Sequence, residues 1–358
     1  MMQEWNLKRE ERAIFALRGL YRQYGYTPYK MSRFEEYDLY VRNKDFLVSD
    51  QIITFSGDRG RLLALKPDVT LSIVKNAPDE PGVVQKVYYN ENVYRDYREI
   101  LQAGLECVGD LGDYEISEVV LLAAKSLQQL GSTWILELSH MGLIAAMLSD
   151  CGLEEAQKKQ AVQYLRQKSA HQLKQLCADN PEAAEKLDIL CACRGTAGQV
   201  LASVEAVLTT EDERKALKEL KSLYRILVSS GCGDMVRIDF SVGSDLGYYS
   251  GVVFRGYLEG IPTSILSGGQ YDRLPRKMGR KARAIGFAIY LDLLQQLGQP
   301  ENALDVDTLI LHDGTADPQA LLELSREAAK TGSVLVCRQK PEGRRWKKLV
   351  RLEKGVRV

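Results

Sequence analysis

The stretch VVQKVYYNENVYRDYREILQAGLECVG, residues 83–109, decides which fold we expect for this chain. Its first half, VVQKVYYNENVYR (83–95), is rich in β-branched and aromatic residues, as is typical of a strand. The segment LQAGLECVG (101–109) has the character of an antiparallel return partner. This pairing favours an antiparallel sheet rather than the βαβ alternation of a dinucleotide-binding core.

Patterns on either side of this stretch predict helices and more strands. Residues 8–24 place Ile14, Leu17, Leu20 and Tyr21 at helical spacing among charges, which predicts a helix with one buried face. The remaining segments up to residue 140 predict a hairpin at 51–66 around the turn GDRG, a helix at 114–130 and a strand at 132–140.

From residue 141 to about 230 the pattern is almost entirely helical, which indicates an inserted all-α subdomain. Strand patterns then resume at 235–243, 248–258 and 262–269, and 282–298 reads as a strand running into a helix. After about residue 303, TLILHD, PQALLELSREAAKTG and SVLVCRQ form a small βαβ pattern.

We therefore predict an α+β chain of two domains. Residues 1–300 form an antiparallel sheet flanked by helices, interrupted by the helical insertion at about 141–230, and residues 301–358 form a small C-terminal α/β module. The glycines of SGGQYD and AIGFA make neither a GxGxxG fingerprint nor a P-loop.

Composition restricts the class of protein. The 358 residues are 45% hydrophobic and 27% charged, as in an ordinary globular protein, and no apolar run is long enough for a membrane helix. The start lacks the apolar segment of a secretory signal, and the seven cysteines show no CxxC pair, so we expect reduced thiols in the cytoplasm. Three scattered histidines argue against a metal site. We predict no metal and no cofactor.

Charge lowers the expectation of nucleic-acid binding. Lys+Arg and Asp+Glu are both 48, so the net charge is zero, whereas proteins that hold a long polyanion usually carry a basic excess. Residues 338–358 contain nine Lys/Arg and two Glu. We interpret this basic tail as a solvated helix or strand edge.

A set of polar side chains falls on the predicted strands and their ends, where it can converge on one cavity in the sheet face. In this set, Gln102 and Glu106 are four residues apart and hence on one face of a strand. Carboxylates and a tyrosine hydroxyl suit a small zwitterion with an ammonium group and a polar ring. The candidates are Asp68, Thr70, Arg95, Gln102, Glu106, Tyr248 and Tyr249.

Each candidate also has a purely structural explanation. Asp68 and Thr70 can cap a helix that begins near Val69, and Arg95 can pair with Glu106 across the hairpin. We expect Tyr248 and Tyr249 to point to opposite faces of a strand, so that only one of them enters the cavity.

The order of five motifs, PDVT, VYR…LQAGLE, YYSGVVF, GGQYD and AIGFAIYLDLL, resembles the class II catalytic domain of the histidyl-tRNA synthetase family. RFEE (33–36) sits where that family's first motif ends, and the similarity spans roughly residues 8–298. The resemblance implies a class II synthetase-like fold with an amino-acid pocket.

Several positions depart from the family pattern, and at two of them, Ser244 and Leu293, the resemblance implies an arginine that acts on ATP. The resemblance implies arginines at the positions of Lys66, Ser244, Gln270 and Leu293, and a longer loop between Arg95 and Gln102. Fixed cations stabilise the charge that develops during adenylate formation, and removing one such group commonly costs about 2.7–4 kcal/mol of barrier. These departures predict that aminoacylation is lost while the amino-acid pocket is kept.

A group within this resemblance, the ATP phosphoribosyltransferase regulatory subunits, does not charge tRNA. The short turn, the run from Arg98 to Glu106 and the small C-terminal module are similar to that group. The similarity implies a non-catalytic regulatory subunit for the first step of histidine biosynthesis, mediating feedback inhibition by L-histidine. Its implied partner is a short-form catalytic subunit, with a homodimer inside a hetero-oligomer and no membrane. Two alternatives stay open: an active histidyl-tRNA synthetase, and a tRNA-binding regulator built on an inactive synthetase domain.

Overall fold

The computed structural model describes two compact units, Met1–Leu297 and Gly298–Val358. Within them the described residues are 7–47, 51–178, 180–192, 195–242, 247–297, 304–353 and 356–357. In this part of the chain no helix is long and apolar enough to cross a membrane, and no cluster of His, Cys, Asp and Glu side chains is arranged to hold a metal ion.

The first unit combines helices and strands throughout. Its helices are α1 (Arg9–Gln23), α2 (Tyr37–Arg42), α3 (Thr70–Asn76), α4 (Asp113–Leu130), α5 (Met141–Asp150), α6 (Glu155–Arg166), α7 (Ala170–Leu176), α8 (Pro181–Ala192), α9 (Ala197–Glu205), α10 (Glu211–Ser229) and α11 (Arg273–Lys277). Its strands are β1 (Thr27–Pro28), β2 (Phe34–Glu36), β3 (Thr54–Ser56), β4 (Leu62–Leu65), β5 (Val84–Arg95), β6 (Arg98–Gly109), β7 (Trp134–His140), β8 (Val236–Ile238), β9 (Val252–Leu258), β10 (Leu266–Gln270) and β11 (Arg283–Tyr290).

A large sheet dominates the unit, with described strands in the order β1-β5-β6-β11-β10-β9-β7-β8. Its central pairs are antiparallel, and only the outermost pairs, β1 with β5 and β7 with β8, are parallel. The predicted antiparallel sheet is therefore confirmed. The predicted strand at 235–243 is shorter than expected, since it is a strand only at Val236–Ile238.

The two faces of β6 show why this strand forms. Ala103, Leu105 and Cys107 are buried in the main hydrophobic core on one face, whereas Gln102 and Glu106 line a cavity on the other. The alternation follows from the two-residue repeat of a strand. The helices α1 and α4 cover the apolar face: Leu17 and Tyr21 of α1 are buried, as predicted from their helical spacing, in the same core as α4.

The turn between β5 and β6 is tighter than the sequence indicated. Arg95 pairs directly with Arg98, so only Asp96 and Tyr97 connect the strands. Both residues have positive φ, 51° and 60°, as the two-residue type I′ hairpin turn requires. No loop beyond these two residues extends from this hairpin.

Replacing Tyr97 by glycine is expected to stabilise the protein by about 0.5–1 kcal/mol. The left-handed conformation costs a side chain with a Cβ about 1–2 kcal/mol, and part of that gain is offset by the greater freedom of glycine in the unfolded chain. Tyr97 is 81% exposed, so little packing is lost. Urea unfolding measures the change; Tyr97→Ala, which keeps the Cβ, is the control and should not stabilise.

Two smaller parts of the first unit match their predictions. The segment 51–66 forms the expected hairpin, with β3 antiparallel to β4 and a short 3-10 turn at Asp58–Gly60, and β2 adds a third strand. The insertion is helical, from Met141 to Ser229 in the described residues, and its helices bury a continuous set of alanine, valine and leucine side chains in the main core.

The second unit contains β12 (Val306–His312), α12 (Pro318–Ala329), β13 (Val334–Cys337), β14 (Trp346–Glu353) and β15 (Val356–Arg357). The expected βαβ arrangement is present, because β12 and β13 are parallel neighbours. The basic tail differs from the expected helix or sheet edge: β14 lies inside the sheet, between β12 and β15, and keeps Lys347, Lys348 and Arg351 exposed.

Candidate functional site

A cavity of about 640 Å³ lies against the open face of the large sheet. All seven predicted site residues occur in this region of the first unit, and each lines the cavity: Asp68, Thr70, Arg95, Gln102, Glu106, Tyr248 and Tyr249. Small residues form part of the floor. Gly286 of β11 lies opposite Glu106, and a side chain there would collide with the Glu106 carboxylate, so glycine keeps this part of the cavity open.

One end of the cavity is acidic. Glu106 is 2% exposed and accepts a hydrogen bond from the Thr70 hydroxyl at 2.7 Å. Its second carboxylate oxygen accepts one from the hydroxyl of Tyr271. Asp68 lies at the start of α3, where one of its oxygens accepts the Leu71 amide at 2.9 Å. Asp68 therefore supports the helix start, as the structural explanation expected, and also faces the cavity.

Burial controls the protonation of both acids. Loss of water raises the pKa of Glu106 from 4.5 to about 8, against the opposing hydrogen bonds of Tyr271 and Thr70. Burial likewise raises the pKa of Asp68, although the Arg95 guanidinium opposes the shift. Because both acids hold their protons more tightly in the empty cavity, a ligand ammonium or imidazolium group would favour their ionised forms and bind to them by charge-assisted hydrogen bonds.

Arg95 belongs to this acidic end but does not pair with Glu106. Its Nε donates to the Pro67 carbonyl at 2.6 Å, and a terminal nitrogen lies 3.7 Å from Asp68. The expected pair with Glu106 is wrong because the hairpin register places Arg95 opposite Arg98 and Glu106 opposite Val87, far along the ladder. Arg95 is thus oriented by the segment that precedes α3.

Gln102 contributes an unused donor. The residue is 2% exposed and lies two positions from Gly104 on the cavity face of β6, opposite Tyr290 of β11. Its side-chain nitrogen has no hydrogen-bond partner among the described residues. A buried donor without a partner costs free energy, and a bound acceptor group would remove that cost.

The two tyrosines correct our expectation. Tyr248 and Tyr249 precede the start of β9 at Val252, so the alternation of a strand does not apply to them, and both line the cavity. Their rings meet edge to face at 4.6 Å. Gly269 of β10 makes room for them, since a Cβ there would lie 2.8 Å from the Tyr249 ring.

The structure adds Phe46 and Tyr271 to the aromatic wall. Their rings lie 5.5 Å and 5.9 Å from that of Tyr248. Tyr271 belongs to the GGQYD motif, one of the five motifs of the resemblance. We did not predict it as a site residue, although its place in that motif was a sequence signal for it. Nothing in the pattern around Phe46 distinguished it from a core residue.

The positions that depart from the synthetase pattern have structural partners here. Lys66 pairs with Glu91, and the Gln270 amide donates to Asp272 at 2.6 Å. Leu293, in the 3-10 helix Leu291–Leu297, packs partly buried against the main core. Ser244 lies outside the described residues.

The other end of the cavity was not predicted from the sequence. It carries two arginines and three hydroxyl groups, on α6 and on β9, β10 and β11 and the segment before β10: Arg166, Arg255, Ser264, Ser267 and Tyr290. These residues are far apart in the chain. None of them stands out in the sequence, because arginine, serine and tyrosine are common on strands and at helix ends. The alternation of β9 and β11 was the only signal for their shared face.

Comparison with known proteins gives a consistent result. A family model described as histidyl-tRNA synthetase matches residues 2–294. The ATP phosphoribosyltransferase regulatory subunit of Clostridium kluyveri is 29% identical over 291 residues, which are 77% of this chain and 74% of that protein.

Two solved structures share the fold. The structure of an ATP phosphoribosyltransferase regulatory subunit/histidyl-tRNA synthetase from Bacillus halodurans superimposes with a TM-score of 0.77 at 24% identity, covering 96% of this chain and 94% of that one. A chain of the ATP phosphoribosyl transferase (HisG:HisZ) complex from Thermotoga maritima gives a TM-score of 0.63 at 16% identity, covering 79% and 97%.

Proposed function

The chain belongs to the histidyl-tRNA synthetase family and has its class II synthetase-like fold, and from that premise we propose that it is the regulatory subunit of an ATP phosphoribosyltransferase. In this role it serves the first step of histidine biosynthesis, in the cytoplasm, without charging tRNA. The name of the Clostridium kluyveri relative supports this proposal.

The proposal rests mainly on one observation: the cavity keeps the groups expected to bind an amino acid, whereas the groups expected to act on ATP are replaced. The acidic end of the cavity is complete: Glu106 is held by Thr70 and Tyr271, and Asp68 lies beside Arg95. An amino acid with an ammonium group and an imidazole ring fits such a set of acceptors, because charge-assisted hydrogen bonds are strongest to buried carboxylates. We therefore propose L-histidine as the ligand of this end.

The groups expected to handle ATP are replaced. Leu293 packs against the core where the resemblance implies an arginine that holds ATP, and Ser244 stands at the second such position. The hairpin turn contains only Asp96 and Tyr97 where the resemblance implies a longer loop. Since each lost cation commonly costs about 2.7–4 kcal/mol of barrier, two such losses make adenylate formation slower by roughly 10⁴-fold or more.

The partner we propose is a short-form catalytic subunit, and we propose a homodimer of this chain within the hetero-oligomer. The Thermotoga maritima neighbour comes from a complex of that kind by its title. Histidine can regulate such an assembly only if it favours one state of the assembly by a difference in binding free energy. Feedback inhibition therefore requires that the cavity differs between the active and inhibited complexes.

Reconstitution with a short-form ATP phosphoribosyltransferase tests the proposal. We expect the two chains to co-purify, the catalytic subunit to gain activity when this chain is added, and millimolar L-histidine to inhibit the mixture. No change of activity on mixing would contradict the regulatory role. Histidine-dependent ATP–pyrophosphate exchange by this chain would instead identify an active synthetase, and strongly salt-dependent association with tRNA would identify an RNA-binding regulator.

A further inference from the structure

Four neighbouring strands each present one hydrogen-bond donor to the end of the cavity remote from Glu106. The donors are Gln102 of β6, Tyr290 of β11, Ser267 of β10 and Arg255 of β9. The register places Tyr290 opposite Gln102 and Ser267 opposite Arg255, and the Tyr290 and Ser267 hydroxyls are 3.3 Å apart. The Gln102–Tyr290 pair lies two residues along the sheet from the Ser267–Arg255 pair, and the contact between the Tyr290 and Ser267 hydroxyls joins the two pairs into one diagonal row.

Some hydrogen-bond donors of this row are not used within the described protein. The buried Gln102 nitrogen has no partner among the described residues, and within the same residues Arg255 forms no ion pair. Glu137 lies opposite Arg255 across the β7–β9 ladder, and the Tyr257 hydroxyl is hydrogen-bonded to both side chains, which holds one part of the Arg255 guanidinium and leaves its other N–H groups for a ligand. A partly buried guanidinium, an amide N–H and the one hydroxyl hydrogen that the Tyr290–Ser267 hydrogen bond leaves over are together suited to an oxyanion with two acceptor oxygens.

Two other arginines, Arg95 and Arg166, also line the cavity, and Arg95 is already bound to protein groups. Its Nε is bonded to the Pro67 carbonyl, and its terminal nitrogen faces Asp68. Arg166 also lines the cavity, but its side chain is exposed at the end of α6. Arg255 is carried by a central strand and is the better fixed of the two.

We propose that this row binds the α-carboxylate of the amino-acid ligand, with Arg255 as the residue that supplies the positive charge. The inference rests on the proposed binding of L-histidine at the acidic end.

The spacing of the strands is compatible with one ligand reaching both ends. Glu106 and Arg255 are separated by three strand steps, which is about 14 Å between backbones, and both side chains line the same cavity. The floor between them contains Gly286 and Ala288, whose small size leaves that space open. Tyr249 lies close enough to both ends that Glu106 and Arg255 each influence the pKa of its hydroxyl.

Paired ligands test the carboxylate subsite. L-histidine and L-histidinol differ in that the second carries a neutral hydroxymethyl group in place of the carboxylate. Calorimetric titration of the full chain, alone and with the catalytic subunit, should give about ten- to hundredfold tighter binding of histidine. Arg255→Gln should reduce that preference to within about threefold, and Arg255→Lys should restore part of it. Arg237→Gln, at an exposed position of β8 that does not line the cavity, is the control and should leave the preference intact.

Each outcome decides the matter. Equal binding of the two ligands by the unmodified chain, or a full preference retained in Arg255→Gln, would overturn the subsite while leaving histidine binding in place. If the unmodified chain binds neither ligand in either state, the proposed ligand fails and the subsite fails with it. The comparison within the unmodified chain stays decisive even if Arg255→Gln does not fold.

Discussion

Replacing Glu106 by glutamine is expected to weaken L-histidine binding by about 2–5 kcal/mol, at least roughly thirtyfold in dissociation constant. The carboxylate is buried and already held by Thr70 and Tyr271, so it is preorganised to receive a cationic group of the ligand. Glutamine keeps the shape but presents a neutral amide. Titration calorimetry measures the loss, and the rise in melting temperature that bound histidine causes should shrink accordingly.

Glu118→Gln is the matched control for this experiment. Glu118 is also buried but pairs with Lys86 at 2.6 Å, away from the cavity. Its loss should lower stability and leave histidine affinity unchanged. Equal weakening of binding in both variants would mean that Glu106 acts only through the fold.

The titration of Glu106 provides a second test of the Glu106→Gln variant, namely the pH dependence of its stability without ligand. The pKa of Glu106 is about 8 in the folded state against 4.5 ordinarily, so the folded state holds the proton more tightly. The stability that this group contributes is complete below pH 4.5 and is lost as the pH rises toward about 8. Urea unfolding across this window should show a shallower decline for Glu106→Gln than for the unmodified chain.

Replacing Lys186 by methionine is expected to lower the free energy of unfolding by about 3–5 kcal/mol. Lys186 joins α8 to the neighbouring helices: its Nζ lies 2.5 Å from Glu213, 2.6 Å from Asp150 and 2.7 Å from the Thr209 hydroxyl. The Glu213 side chain is fully buried, so removal of its cation leaves an unpaired charge in the core of the insertion.

The double variant Lys186→Met/Glu213→Gln should recover much of this loss, because no buried charge then lacks a partner. Lys174→Met is the surface control in the same subdomain, since its ion pair with Asp188 is about half exposed and should contribute less than about 1 kcal/mol. Similar losses of unfolding free energy for Lys186→Met and Lys174→Met would contradict the argument.

Periodicity was sufficient for most of the fold. The spacing of Leu17 and Tyr21 predicted the face of α1 that is buried, and the alternation in β6 predicted that Gln102 and Glu106 share a face. Such patterns reflect local geometry, which a helix or strand imposes on its own residues. The same reasoning predicted that the residues of the acidic end would line one cavity, and they do.

Sequence periodicity did not predict the side-chain contacts that depend on tertiary structure. The partner of Arg95 depends on strand register and on where Pro67 lies, and the orientation of Tyr248 and Tyr249 depends on where β9 begins. Arg255 joins the cavity because the order of strands places β9 near β6, although the helical insertion and other elements separate them in the chain. A single sequence does not state that order.

The place of β11 between β6 and β10 has a consequence for how this protein is made. The floor of the cavity joins segments from opposite sides of the inserted helices, so its contacts have a large sequence separation, which slows folding. A nascent chain that ends within the insertion has no β11 and hence no binding site. Under the proposed function, only a chain synthesised through β11 could bind the amino acid, and a copy truncated within the insertion could not respond to it.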